Sequence, residues 1–168
     1  MNVELLQTLV GKVIKIDRGG PDSKIGKLLA VGEDFLTILI EKEGIVYYKM
    51  YHIKSITENA KKGLPFELEI PESFEYKTAS TFTGILSSLE YSWVKINRGG
   101  KDSIEGVLED ISTEYVTVVA NEEIIRLSTF HIRNISYGAV VEKPEKEEQK
   151  EEKKEDQKEE KKDTEKDS

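Results

Sequence analysis

Two stretches of this 168-residue chain concentrate the side chains that could do chemistry: Arg18-Gly19-Gly20-Pro21-Asp22-Ser23 and Arg98-Gly99-Gly100-Lys101-Asp102-Ser103. A guanidinium presented on a glycine turn can grip a carboxylate or phosphate of a partner through paired N–H donors. The same residues also have an internal use. Paired glycines permit positive φ between strands, and Asp22/Ser23 or Asp102/Ser103 can bond neighbouring backbone amides to hold the turn. A phosphate-cradling loop does not fit, because neither stretch runs into Gly-Lys-Ser/Thr and a helix start. The only two histidines, His52 and His131, stand at matching places before a short apolar ending. Neither has a His or Cys neighbour as co-ligand, and the acids around them differ, so no metal site is expected. No nucleophile, base and oxyanion set recurs beside them, so neither a catalytic residue nor a cofactor is assigned.

The elements that must carry these groups repeat with them. Ile16 to Gly26 returns as Ile96 to Gly106, Phe35 is matched by Tyr115, and His52-Ile53-Lys54-Ser55-Ile56 by His131-Ile132-Arg133-Asn134-Ile135. A shared pattern of about fifty residues is long enough for a small fold, and implies two similar modules. The spacing predicts modules at 1–57 and 80–141, a linker at 58–79 and a tail at 142–168. Each module opens on a short helix, capped by Asn2 over Val3 to Val10 in the first and by Ser80 or Thr81 in the second. Alternating strands follow at Val13-Ile14-Lys15-Ile16 and Trp93-Val94-Lys95-Ile96, then strands near 25–32 and 104–111. The runs from Phe35 to Ile40 and from Tyr115 to Ala120 are apolar on both faces, as suits a bent central strand covered on two sides. Phe35, Leu39, Tyr115 and Val119 are therefore expected between modules or between chains. A helix and five short strands describe a small, curved barrel of the Sm-like or SH3-like kind, and the chain reads as two of them in tandem. In the linker, residues 66–70 alternate like an extra strand.

Composition narrows the partners. There is no cysteine, which removes disulfides, thiolate metal sites and a cysteine nucleophile. No apolar run approaches a membrane span, and no basic region followed by an apolar segment opens the chain, so retention without standard secretion is expected. The net charge of −8 opposes attraction to phosphate backbones and anionic lipid. From Glu142 to Ser168 most residues are Glu, Lys or Asp and none is aliphatic or aromatic, and this tail is expected to be a solvated, disordered appendage.

Sm-like architecture raises a nucleic-acid-binding regulator as the alternative function. Sm-family proteins read RNA through an Asn after an Asp-x-x-aromatic run and an Arg-Gly pair between the last strands. The corresponding stretches here, around Asp34-Phe35 with Met50-Tyr51-His52 and around Glu114-Tyr115 with Thr129-Phe130-His131, contain neither. The tandem Arg-Gly-Gly turns, the Gly26-Lys27-Leu28 and Gly106-Val107-Leu108 that follow, and the endings Tyr51 to Ile56 and Phe130 to Ile135 instead resemble the spore coat protein B (CotB) family of endospore-forming bacilli. Trp93-Val94-Lys95-Ile96-Asn97-Arg98-Gly99-Gly100 is particularly similar to that family, and the resemblance covers residues from about 5 to 138. It implies a non-enzymatic component of the outer spore coat, made in the mother-cell cytoplasm and deposited through other spore coat proteins, with scope for self-association. Longer family members can carry a Ser/Lys/Arg-rich C-terminal tail that resembles a substrate of the coat kinase CotH. This tail has only Thr164 and Ser168 as hydroxyl residues, so dependence on that kinase is not implied here. Its carboxylates could supply permanently the charge that phosphates supply elsewhere.

Overall fold

A computed structural model describes residues 1–141; the expectations for the charged tail lie outside the described residues. Helix α1 (Val3–Gln7) starts where Asn2 accepts a hydrogen bond from the Leu5 amide at 3.1 Å. It is shorter than the apolar spacing suggests. Thr8 turns its hydroxyl onto the Leu5 carbonyl at 2.6 Å, and Gly11 at φ +86° closes the end. Strands β1 (Val13–Ile16), β2 (Lys24–Val31), β3 (Phe35–Ile40) and β4 (Gly44–Lys49), a 3-10 turn (Met50–His52) and β5 (Ile56–Thr57) complete the first repeat. The second runs in the same order: α2 (Phe82–Ser88), β6 (Trp93–Ile96), β7 (Ile104–Ile111), β8 (Tyr115–Ala120), β9 (Glu123–Ser128), a 3-10 turn (Thr129–His131) and β10 (Asn134–Ser136). Thr81 caps α2 through the Gly84 amide at 3.1 Å.

The strands do not close into two separate barrels. They form one open antiparallel sheet in the order β5-β1-β2-β3-β4-β10-β6-β7-β8-β9. The physical reason is edge satisfaction: the free edge of β4 is filled by β10 of the other repeat, so β4 has no need to return to its own β5. In both repeats the ladder slips at the same place, between Leu28 and Ala30 and between Leu108 and Asp110, and these bulges bend the sheet over its helix.

Two apolar cores result. One belongs to the first repeat and joins Leu6, Leu9, Ile14, Ile16, Leu28, Leu36, Ile38, Ile40, Val46 and Tyr48 with Met50 and Ile53. The other is shared: the interior of the second repeat (Leu86, Leu89, Val94, Ile96, Val116, Val118) is continuous with Phe35, Leu39, Ile45 and Tyr47 on the far face of the first. Residues 66–70 form no strand. Leu68 is buried and Phe66 and Ile70 lie against the shared core, so the linker covers apolar surface instead of extending a ladder.

Candidate interaction site at the joint between the repeats

The joint is where the repeats meet and where most of the polar chemistry gathers. Its backbone is an antiparallel ladder pairing Asn134 with Tyr48, Ile135 with Tyr47 and Ser136 with Val46. It is extended by the Lys49 amide to the Arg133 carbonyl at 2.9 Å and the Ile45 amide to the Ala139 carbonyl at 2.8 Å. Behind it, Phe82 of α2 packs on Phe35 with ring centroids 6.4 Å apart, and its amide donates to Asp34 at 2.7 Å. Tyr47 stacks on Tyr137 at 6.2 Å and donates its hydroxyl to the Lys77 carbonyl at 2.6 Å, so the linker is tied to the joint as well. Burial pushes the Tyr47 and Tyr48 phenols far above their ordinary range, and both stay neutral. Lys49 donates to the Thr129 carbonyl at 2.9 Å and sits 5.6 Å from the Phe82 ring centroid, with burial lowering its pKa.

The two glycine turns come together across this joint. Arg133 holds Asp102 through two parallel hydrogen bonds of 3.0 and 2.9 Å, and faces Asp22 of the other repeat at 3.6 Å. The bond from Arg133 keeps the Asp102 carboxyl below its ordinary range. Arg98 donates to Ser136 and faces Glu43 at 3.8 Å, and Glu43 also holds Lys24 at 2.8 Å. The equivalent Arg18 is exposed, with no side-chain partner among the described residues. Asp102 thus holds the Arg133 guanidinium, which Asp22 faces from the other repeat. Ser23 donates its hydroxyl to the Asp17 carbonyl at 2.8 Å, and Ser103 is held through its own amide to the Gly100 carbonyl at 3.3 Å.

What fixes each turn is a residue outside the expected set. Asp17 and Asn97, just before the Arg-Gly-Gly stretch, adopt left-handed backbone at φ 51° and 55°. Asp17 accepts from the Lys54 and Ser55 amides at 2.8 and 3.2 Å. Asn97 accepts from the Arg133 amide at 2.7 Å and donates to Asp102 and to the His131 carbonyl. The sequence signal was present: Asp and Asn are the residues other than glycine that best tolerate this conformation, and both repeats place one there. Positive φ falls on Gly20 in one turn and Gly99 in the other, not on Gly19 or Gly100. A Cβ at Gly99 would also overlap the Pro21 carbonyl of the facing turn, whereas one at Gly19 would meet nothing. Gly99→Ala should therefore cost about 1–3 kcal/mol of unfolding free energy, and Gly19→Ala less than about 0.5 kcal/mol. Denaturant titration checks this, and equal losses would mean that the turns do not dock.

Of the four apolar positions singled out by sequence, Phe35 and Leu39 lie in the shared core, while Tyr115 and Val119 lie on the outer face of β8. His52 reaches the Phe130 carbonyl at 2.7 Å across the joint, and His131 packs edge-on to Phe130. Among the described residues no three His, Asp or Glu side chains gather as a metal would require. A cleft lined by Asp17, Asp22, Lys49, His52 and Arg133 has a volume of about 50 Å³, far below the hundreds of Å³ of an organic-ligand site.

The joint is thus a packed, ion-paired contact between the two repeats of the chain. No protein-family model and no solved structure matches the chain. Spore coat protein B of Bacillus subtilis (strain 168) is 36% identical over 134 residues, which is 80% of this chain and 34% of that protein. The chain is thus spore coat protein B-like. It spans about a third of the length of the curated relative it matches. In this spore coat protein B-like chain the two 3-10 turns also set exposed aromatic rings side by side, Tyr51 and Phe130 with centroids 5.7 Å apart and His52 against both. Such a cluster is apolar contact surface at the lip of the joint.

Proposed function

We propose that this protein is a structural component of the bacterial outer spore coat that works through protein-protein contacts and carries out no catalysis. The 36% identity to spore coat protein B carries the reading, and the joint agrees with it. Its arginines and carboxylates are engaged with each other, and its cleft is too small for an organic substrate. Under this reading the chain is made in the mother cell and laid down on the forespore through other coat proteins. Coat assembly needs many stable contacts, which rigid turns and exposed aromatic groups provide. Nucleic acid binding is disfavoured because Asp22, Asp102 and Glu43 neutralise the basic groups at the joint.

Fractionation of sporulating cells that produce the tagged chain tests the proposal. The chain should appear in the alkali-extractable coat and resist salt washing. Recovery in the soluble cytoplasm, together with micromolar RNA binding at physiological salt that is lost on mutating Lys49 and Tyr51, would replace it with a nucleic-acid-binding regulator.

A further inference from the structure

A tandem of two like repeats joined once, edge to edge, has one filled joint and two surfaces that the joint would have covered had there been a third repeat. Both surfaces are open among the described residues. On the first repeat, Ile45 of β4 is fully buried by the second; the matching Ile124 of β9 is 64% exposed. Phe35 and Tyr47 of the same face are buried, while the matching Tyr115 and Arg126 are exposed. On the other side of the joint, Ile85 of α2 is fully buried, and the matching Leu5 of α1 is 59% exposed. Ile135 of β10 is buried and paired on both edges, whereas Ile56 of β5 is half-buried and paired only to β1 among the described residues. The exposed apolar residues thus sit where the internal joint has its contacts, at opposite ends of one sheet.

We propose that copies of this chain join head to tail, the free edge of β9 in one copy pairing with β5 and packing against α1 of the next. The internal ladder sets the register. By repeat equivalence, Ser55, Ile56 and Thr57 of one copy lie opposite Leu127, Arg126 and Ile125 of the other, as Asn134, Ile135 and Ser136 lie opposite Tyr48, Tyr47 and Val46. Leu5 seats near Tyr115 and Ile124, as Ile85 does in the core with Phe35 and Ile45. Charge agrees as well. The pair Arg98 with Glu43 becomes Arg18 with Glu122, both exposed and one on each open end. The new contact is weaker than its template, since Arg126 replaces the stacked Tyr47 and no linker crosses it, so association is reversible. Because the contact is heterologous, its repetition builds a ring or an open fibre, and neither is limited to a pair.

The proposal stands on the internal joint and not on the coat reading, which the fractionation experiment judges separately. Its test is sedimentation velocity of the full chain from low micromolar to submillimolar concentration. Species beyond the dimer should grow with concentration. Leu5→Asp and Ile124→Asp alter one exposed residue each, so both should keep the thermal unfolding profile of the parent chain. Each should weaken self-association at least tenfold. Mixed in equal amounts they should form a one-to-one dimer and nothing larger, because each retains the surface that the other lacks. A parent chain that stays monomeric throughout would overturn the proposal. So would Leu5→Asp associating as the parent does, the mark of a two-fold β9 contact, or a mixture of the two variants that fails to dimerise.

Discussion

Ile85→Ala should lower the unfolding free energy by about 2–5 kcal/mol, while Leu5→Ala, the same position of the other repeat, should change it by less than about 0.5 kcal/mol. Ile85 is fully buried in the shared core among Phe35, Phe82 and Ile135, and truncation there leaves a cavity that rigid neighbours on both repeats cannot fill. Leu5 points away from the first repeat's core, so at dilutions where the chain is monomeric it has little contact to lose. Because one core contains residues from both repeats, the Ile85→Ala loss should appear as a shift of a single cooperative transition with unchanged denaturant slope. Equal losses at the two positions, or two separated transitions of which only one moves, would show that the repeats fold as independent units.

Asn97→Ala should cost about 3 kcal/mol or more. The side chain is fully buried and makes three hydrogen bonds, and its removal strands the Arg133 amide and the His131 carbonyl inside the joint. Alanine also strains at φ 55°, so Asn97→Gly should recover about 1 kcal/mol of the loss while restoring none of the bonds. Asn97→Asp is the informative variant, because it reproduces Asp17 of the first repeat. It keeps the acceptor for Arg133 but sets a second carboxylate beside Asp102, whose Oδ2 lies 3.2 Å from the Asn97 amide nitrogen. Like charges raise the folded-state carboxyl pKa above its unfolded value, so folding takes up protons. The variant should therefore be destabilised at neutral pH and recover relative to the parent as pH falls towards the carboxylate range. A pH-independent loss would mean that the turns tolerate the second charge.

Much of the local structure was legible from residue types. Val13 to Ile16 and Trp93 to Ile96 alternate with period two and form strands; Asn2 and Thr81 cap helices because their side-chain oxygens accept from free first-turn amides. The helix expected to Val10 stops at Gln7 because Thr8 bonds backwards to a carbonyl, a competition that periodicity does not register. Alternation at 66–70 suggested a strand, yet the segment lies over apolar surface with no ladder beside it. Asp17 and Asn97 stand beside glycines that draw attention first, yet an Asx residue before a tight turn is itself a signal for left-handed backbone.

By itself the sequence determined that there are two repeats, that both are mainly β, where their turns lie and which side of each strand is apolar. These are short-range consequences of side-chain size, alternation and backbone freedom. Only the tertiary structure decided that β4 pairs with β10 instead of closing a barrel, and that Phe35 is buried where Tyr115 is exposed. Strand-edge pairing is chosen by backbone groups that every residue carries, so no side-chain pattern announces it. A repeat also writes nearly the same residues into both copies, whereas a tandem of two has one joint and two ends. Which copy of an apolar face is covered therefore follows from its place in the chain, and the shared pattern contains no record of that.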